Sequence, residues 1–162
     1  MAFRFRTFTF EDCYCSVRSR ITVDEAQDSI KPAYNEPSYV RNRTDGNILD
    51  AVLYIYVSRP FVKTPREVAG YLQADARELS AAIHLLTGIS HEDLLHQYRL
   101  RSICEVLRST RLTTTTIAHY FGYSSLMGLN QFLLHQTGLT ANEIREGRDP
   151  KSKVKRPAWW KK

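Results

Sequence analysis

The chain repeats part of its own sequence at a spacing of about 50 residues. Residues 79–90 (LSAAIHLLTGIS) align with residues 129–140 (LNQFLLHQTGLT), so that the glycine of a Thr-Gly pair recurs at positions 88 and 138. A short apolar pair precedes each copy, at residues 68–69 and 117–118, where the offset is 49 residues. Each copy therefore predicts a short helix, a tight turn and a longer helix, which is the order of a helix-turn-helix unit. The second turn is predicted to be one residue longer than the first.

Helical spacing of apolar residues continues over residues 48–146, and helix start and stop signals divide this stretch. Thr64-Pro65 predicts a helix start, because Thr is a favourable N-cap and Pro suits the first helical position. Gly88 and Gly138 are predicted to end the two longer helices.

One long helix is predicted between the two copies, over residues 91–109. Ser90 followed by Asp93 resembles a capping box at its start. At about 1.5 Å per residue, this helix is on the order of 28 Å long. A spacer of that length can hold two recognition helices about one duplex turn, roughly 34 Å, apart.

The first 47 residues show a different pattern, typical of β-structure followed by a linker. Apolar and polar residues alternate over residues 3–10 and 14–23 with Glu11-Asp12 between them, which predicts a β-hairpin. Residues 24–47 hold two prolines and an Asp-Gly pair without a sustained period, so we expect a loop with at most one short helical turn. An isolated hairpin is only marginally stable in water. It must therefore pack on the helical body or contact a partner, which is either a second copy of the chain in a homodimer or another protein.

The formal net charge of +6 is confined to the C-terminal end of the chain. Residues 1–47 hold seven basic and seven acidic residues, and residues 48–146 hold nine of each. Residues 147–162 hold seven basic residues against one acidic residue. A basic tail can neutralise phosphates without a folded domain behind it. Three roles are open for Trp159 and Trp160 in this tail: stacking on bases, packing on the domain, or belonging to a disordered solubilising end.

The sequence predicts a cytoplasmic protein that does not contact a membrane. No apolar run approaches the roughly 18–20 residues that span a bilayer, and the first residues lack the unbroken apolar stretch of a signal peptide. Three cysteines, Cys13, Cys15 and Cys104, form an odd set that argues against a disulfide framework. Cys104 is predicted to be a small apolar core residue on a helix.

The titratable residues match no catalytic or metal-binding pattern. The five histidines do not have the spacing of metal ligands. His91-Glu92-Asp93 and His119-Tyr120 each lie on one predicted helix face, away from any nucleophile or metal pattern. We therefore expect neither an enzyme nor a metal or cofactor site.

Residues 48–146 resemble the DNA-binding domain of the AraC/XylS family of bacterial transcription regulators, over about 60% of the chain. The most diagnostic run is residues 117–125 (IAHYFGYSS), followed by residues 137–140 (TGLT) and 143–145 (EIR). The one-residue difference between the two turns is also typical of this family. Further matching residues are Val68-Ala69, Leu79, Thr87-Gly88-Ile89-Ser90, Tyr98-Arg99-Leu100 and Val106-Leu107.

The resemblance implies two tandem helix-turn-helix units joined by a long linker helix; with the small N-terminal β-hairpin predicted above, the expected fold class is mainly α. We therefore expect three parts: the hairpin and linker (1–47), an AraC-type tandem helix-turn-helix domain (48–146) and a basic, flexible tail (147–162). The implied function is a sequence-specific transcription regulator that binds double-stranded DNA in two successive major grooves.

In this family the outward faces of the two longer helices contact base edges. By position, the first helix of this chain would use Arg77, Ser80, Ala81 and His84. The second would use Leu126, Met127, Asn130 and Gln131. Phosphate contacts at a helix start would come from the backbone amides and hydroxyls of Tyr123, Ser124 and Ser125.

The side-chain chemistry at these positions is partly suited to base recognition. Asn130 and Gln131 can pair bidentately with adenine, and Arg77 with guanine. Leu126 and Met127 can make only apolar contacts, such as with a thymine methyl group.

Departures from the family motivate an alternative function. Basic residues usually follow the base-contacting positions, but residues 83–86 are IHLL and residues 133–135 are LLH. Gln73-Ala74 stands in the first turn where a glycine is common, and Ala81 replaces a polar side chain. With zero formal charge over residues 48–146, these features weaken the electrostatic part of DNA affinity. The alternative is a protein-interaction module on a helix-turn-helix scaffold, with weak DNA binding through the tail and an apolar patch of Leu126, Met127 and Leu134.

Overall fold

The computed structural model describes residues 7–32, 47–150 and 158–161, which fold into two compact units. The first unit holds residues 7–15 and 47–98, and the second holds the other described residues. Both are mainly helical, and a two-stranded antiparallel sheet belongs to the second unit. The predicted class, mainly α with a small N-terminal sheet, is confirmed.

Five helices of the described chain contribute to the first unit. They are α1 Phe10–Cys13, α2 Ile48–Ser58, α3 Pro65–Leu72, α4 Ala76–Thr87 and α5 His91–Ser109, the last continuing into the second unit. The Thr64 hydroxyl accepts a hydrogen bond from the Glu67 amide and Pro65 is the first helical residue, so the predicted start of α3 is confirmed. The predicted bounds of the long helix, 91–109, are also confirmed.

The second unit combines a hairpin with short helices around the C-terminal half of α5. Its elements are a 3-10 turn Val17–Ser19, β1 Ile21–Asp24, β2 Ser29–Pro32, α6 Thr114–Tyr120, α7 Leu126–Thr137, α8 Ala141–Arg145 and a 3-10 turn Ala158–Lys161. β1 and β2 are antiparallel, with Ile21 opposite Pro32 and Asp24 opposite Ser29.

The β-hairpin lies further along the chain than the sequence predicted. Residues 3–6 lie outside the described residues, but α1 occupies the end of the predicted first strand. A capping box between Thr9 and Asp12 forms this helical turn, so local side-chain hydrogen bonds override the alternating pattern. The predicted strand 14–23 is wrong except at its end, and its true partner, β2, lies in the predicted linker.

The internal repeat extends to the hydrogen bonds of the two turns. The Ala74 amide donates to the Ala69 carbonyl (3.0 Å), and 49 residues later the Tyr123 amide donates to the Ala118 carbonyl (2.9 Å). Both bonds close the Schellman geometry that ends a helix. The two turns are therefore the same structure up to this point.

The offset then changes from 49 to 50 residues at a single position. Asp75 is the N-cap of α4 and Ser125 is the N-cap of α7, so the additional residue of the second turn is Ser124. Beyond it, Thr87 and Thr137 make the same two bonds: each hydroxyl donates to the carbonyl four residues earlier and accepts from the amide two residues later. The predicted one-residue difference is confirmed and located.

A left-handed residue ends each short and each longer helix of the repeat. Gly88 (φ +76°), Gly122 (φ +88°) and Gly138 (φ +74°) are glycines, but the residue that ends α3 is Gln73 (φ +52°). A side chain at this backbone conformation is strained, because its Cβ approaches the neighbouring carbonyl.

We expect Gln73→Gly to raise the free energy of unfolding by about 0.5–1 kcal/mol, because glycine relieves this strain. Gln73→Ala keeps a Cβ at the same position and is the matched control, with no such gain. Urea unfolding followed by far-UV circular dichroism compares the three proteins. A less stable glycine variant would contradict the expectation.

The turn of the β-hairpin packs on the start of α6. The Asp28 carboxylate accepts hydrogen bonds from the Thr113 amide, the Thr113 hydroxyl and the Thr116 hydroxyl, each 2.7 Å long. These bonds, those from Thr113 first, lower the pKa of Asp28. Glu25 accepts a further bond from the Arg111 amide (3.1 Å). Of the two alternatives for the hairpin, packing on the helical body is the one that the structure supports.

Asp28→Ala is expected to lower the midpoint of thermal unfolding at neutral pH, because three donors in the first turn of α6 lose their acceptor. Asp28→Asn keeps one acceptor oxygen and tolerates the positive φ of 51°, so its decrease should be smaller. The pKa of Asp28 is lower in the folded protein than in the unfolded chain. The carboxylate therefore contributes to stability above its pKa in the unfolded chain, and this contribution is lost as the pH falls through its pKa in the folded protein. Tryptophan fluorescence follows this unit, because Trp159 and Trp160, the two tryptophans of the chain, are buried in it. If the original protein and both variants unfolded at the same midpoint temperature, this expectation would be wrong.

An aromatic cluster organises the core of the first unit. The Tyr98 hydroxyl accepts a hydrogen bond from the Cys15 amide (3.3 Å), and the Tyr98 ring lies 4.9 Å from that of Tyr14 and 5.2 Å from that of Tyr56. His91 stacks on Tyr56 at 6.0 Å and is 2% exposed. This cluster ties residues 7–15 to α2 and to the N-terminal half of α5.

All three cysteines are buried thiols. Cys104 lies on α5 with 2% of its surface exposed, so its predicted place as a core residue on a helix is confirmed.

Candidate nucleic-acid interface

One face of α4 is open to solvent. Arg77, Ala81 and His84 are exposed and lie four and three residues apart, so they form one stripe along the helix. Ser80 is half-buried at the edge of this stripe, and Ile83 anchors the opposite face in the core. The four residues predicted for the first recognition helix are thus brought together in the first unit.

The equivalent face of α7 is also open to solvent, 50 residues later. Met127 is 71% exposed, Leu134 is 43% exposed, and Gln131 is exposed between them. Together they occupy the same repeat positions as the α4 stripe, and Leu126 is half-buried at the start of the helix. Leu129 is fully buried on the opposite side. Met127 and Leu134, two residues of the predicted apolar patch, are therefore open to solvent.

Asn130 has a structural contact that the sequence did not predict. Its Oδ1 accepts a hydrogen bond from the amide of Ala141, the first residue of α8 (2.9 Å). Bidentate recognition of adenine needs both the oxygen and the nitrogen of an amide side chain. Gln131, which is exposed, is therefore better placed for that contact than Asn130.

The turn before α7 holds the residues predicted to contact phosphate. The Ser125 hydroxyl accepts a hydrogen bond from the Gly128 amide (3.4 Å) and so serves as a helix cap. Ser124 is exposed, and its carbonyl lies 3.2 Å from Nε2 of His119. Tyr123 is half-buried beside Gly128, where an added Cβ would lie 3.4 Å from its ring. The first amides of α7 remain suited to an anion, as at other helix starts.

Arg99 holds this turn in place, a role that the sequence alone does not indicate. The side chain is buried, and its Nη2 donates to the Phe121 carbonyl at 2.8 Å. Its guanidinium carbon lies 5.4 Å from the centre of the Tyr123 ring and 5.9 Å from that of Phe132. No local pattern could have indicated a contact between residues 22 positions apart.

Trp159 and Trp160 are buried in the second unit. The Arg101 guanidinium lies 5.9 Å from the Trp159 ring, and that of Arg108 lies 4.5 Å from the Trp160 ring. Of the three roles that the sequence left open for these rings, packing on the domain is the one that the structure supports.

Comparison with known proteins agrees with this geometry. Residues 68–147 match the family model of a helix-turn-helix domain. Among solved structures, the chain is similar to the C-terminal domain of AraT, a response regulator from Geobacillus stearothermophilus, with 27% sequence identity and a TM-score of 0.51. That similarity covers 67% of this chain and 91% of the other. None of the curated protein sequences matches the chain.

Two copies of the helix-turn-helix motif with exposed helix faces place the protein among helix-turn-helix DNA-binding proteins. More narrowly, residues 68–147 are a helix-turn-helix domain of the AraC type, as the sequence resemblance implied. This family is one of DNA-binding regulatory domains and not of enzymes, and the chain is accordingly a DNA-binding transcription regulator.

Among residues 7–32, 47–150 and 158–161, no helix combines the length and the apolar character needed to cross a membrane. Within the same ranges, no group of three or more His, Cys, Asp or Glu side chains is placed to hold a metal ion.

Proposed function

We propose that this regulator binds a specific double-stranded DNA site, with α4 and α7 each entering one of two successive major grooves. The observation that carries the proposal is the pair of exposed stripes at equivalent repeat positions on α4 and α7. Both helices are 12 residues long and both start and end with the same types of cap. The 19 residues of α5 amount to about 28 Å of helix, a length compatible with neighbouring grooves.

The side chains of the two stripes suit different bases. Arg77 on α4 is suited to the O6 and N7 acceptors of guanine. On α7, Gln131 suits adenine and Met127 suits a thymine methyl group. Asn130 is assigned to positioning α7 against α8, because its oxygen is engaged there.

We assign the part of the DNA affinity that does not depend on base sequence to contacts with phosphate groups. The start of α7 and the turn before it offer backbone amides to phosphate groups, and Ser124 is exposed beside them. The basic residues of the tail supply the net positive charge that residues 48–146 lack. We therefore expect affinity to fall steeply with salt, while base preference depends on the two stripes.

Alanine at Arg77 or at Gln131 is expected to weaken specific binding by about 1–3 kcal/mol, or about 5- to 150-fold, and to relax base preference at one position. Fluorescence anisotropy with a duplex selected from genomic fragments, in excess competitor DNA, measures this loss. Arg66→Ala, an exposed arginine on α3 outside the stripe, is the matched control and should leave base preference unchanged. Unchanged preference in both stripe variants would refute base recognition by these helices.

The use of two grooves has a separate test. Inserting about five base pairs between the two contacted segments turns one of them to the opposite face of the duplex, since a turn is about 10–10.5 base pairs. We expect this insertion to abolish specific binding. Full retention of affinity would exclude simultaneous binding of two grooves.

A second candidate function is protein interaction through the α7 stripe. It is favoured by the exposure of Met127 (71%) and Leu134 (43%), which are apolar in a stripe assigned to DNA. Removing the whole tail is a poor test, because Trp159 and Trp160 are buried. Replacing the four basic residues at positions 151–156 by glutamine removes their positive charge and keeps both tryptophans. The interaction function replaces the DNA-binding one if two results are found: the original protein shows no preference for any DNA sequence, and the glutamine variant no longer binds DNA.

A further inference from the structure

A cavity of about 290 Å³ lies in the second unit beside the C-terminal half of α5. Its lining residues include Arg18, Arg101, Cys104, Glu105, Arg108 and Trp159. None of the lining residues lies on α4, on α7 or in the turn before α7, so DNA binding as proposed above does not use this cavity.

The cavity has an excess of positive charge, with three guanidinium groups against one carboxylate. The carboxylate, Glu105, is already engaged: it accepts hydrogen bonds from the Ser16 hydroxyl (2.8 Å) and the Val17 amide (3.1 Å). It also lies 3.8 Å from Nε of Arg101. Arg18 and Arg108 are exposed and form no ion pair within the described residues, so their charges face the cavity uncompensated.

Besides these charged residues, Cys104, Ser109 and Trp159 line the cavity. The Trp159 ring forms one side, and the Arg101 guanidinium lies 5.9 Å from its centre. Cys104 is buried, and desolvation raises the pKa of its thiol to about 12, so this group stays neutral. A concave space of roughly 300 Å³ with an aromatic side and a few polar groups is at the small end of the range for ligand sites.

We propose that this cavity binds a small organic anion that carries a flat ring. Its carboxylate or phosphate lies between Arg18 and Arg108, whose planar guanidinium groups match both acids in geometry. Its ring lies against Trp159, since aromatic faces stack favourably. The cavity gives the regulator a ligand site of its own within the second unit.

The test uses the full chain and its own tryptophan fluorescence, because Trp159 lines the cavity and Trp160 is its neighbour. Adenosine 5′-monophosphate and benzoate are the two probes, one for each acid group. Adenosine and inorganic phosphate are the controls, because the first has a ring without the charge and the second has the charge without a ring. We expect a saturable fluorescence change with at least one probe and, in equilibrium dialysis, one molecule retained per chain.

Arginine variants connect this signal to the cavity. Arg18→Gln and Arg108→Gln should each weaken probe binding by about tenfold, because each removes one charge-assisted contact. Arg111→Gln, an exposed arginine of the same unit that does not line the cavity, should bind as the original protein does. Trp160→Phe leaves Trp159 as the single tryptophan and should retain the fluorescence change.

Four results would overturn the proposal. They are the absence of retained probe in dialysis, equal binding of inorganic phosphate, unaltered affinity in both cavity variants, and displacement of the probe by duplex DNA. The last result would assign the cavity to the DNA backbone. Far-UV circular dichroism of each variant verifies that the protein is folded before affinity is compared.

Discussion

Replacing Arg99 by methionine is expected to lower the free energy of unfolding of the second unit by about 3 kcal/mol. Arg99 is 5% exposed, and its guanidinium donates to the Phe121 carbonyl at 2.8 Å, in the turn between α6 and α7. A buried hydrogen bond from a charged group is worth about 1.5–3 kcal/mol, and contact with two aromatic faces adds about 0.5–2 kcal/mol. Methionine fills much of the same space but leaves the carbonyl without this donor.

Tryptophan fluorescence during urea unfolding is the appropriate measurement, because both tryptophans lie in this unit. Arg111→Met is the matched control: its side chain is exposed, so we expect a change within about 0.5 kcal/mol. DNA affinity should also decrease for Arg99→Met, because the turn before α7 loses its support. Equal stability of the two variants would contradict the role assigned to Arg99.

Lowering the pH from 7 to 5 is expected to cost the first unit about 2 kcal/mol of stability through His91 alone. Burial lowers the pKa of His91 from 6.5 to about 4, and neither ring nitrogen has a hydrogen-bond partner in the described chain. The folded protein therefore binds this proton less readily than the unfolded chain. The contribution is fully present above about pH 6.5 and is lost as the pH falls towards 4, with a total of about 3 kcal/mol.

His91→Leu removes the titrating ring and should flatten this part of the pH dependence. Urea unfolding at pH 7 and pH 5, followed by far-UV circular dichroism, gives the difference between the two proteins. His135→Gln changes an exposed histidine of α7 and should behave as the original protein does. If His91→Leu loses as much stability on acidification as the original protein, His91 is not the group responsible.

The helical repeat could be predicted because its signals are local. N-caps such as Thr64 and C-terminal glycines such as Gly88 and Gly138 act within one helical turn, and the structure shows each at its predicted place. The bounds of α5 followed from the same kind of signal at Ser90, whose hydroxyl accepts from the Asp93 amide at 3.1 Å.

The remaining features depend on contacts between distant residues. Asp28 accepts a hydrogen bond from Thr113, the N-cap of α6, 85 positions away, and Arg20 donates to Ser102 from 82 positions away. No local pattern therefore indicates that the hairpin lies over residues 21–32. The engagement of Asn130 by α8 likewise required coordinates. The candidate interface was therefore predictable as two helix faces, but the choice between Asn130 and Gln131 was not.

The two copies of the repeat share the chemistry of their helix caps but differ in the side chains of their exposed stripes. Thr87 and Thr137 repeat the same bonds, whereas the exposed residues Arg77 and Met127 at equivalent positions share no chemistry. Substitutions on the stripes leave the framework intact, because exposed positions contribute little to stability. The exposed chemistry of each stripe can thus change independently of the other, without loss of the fold on the way.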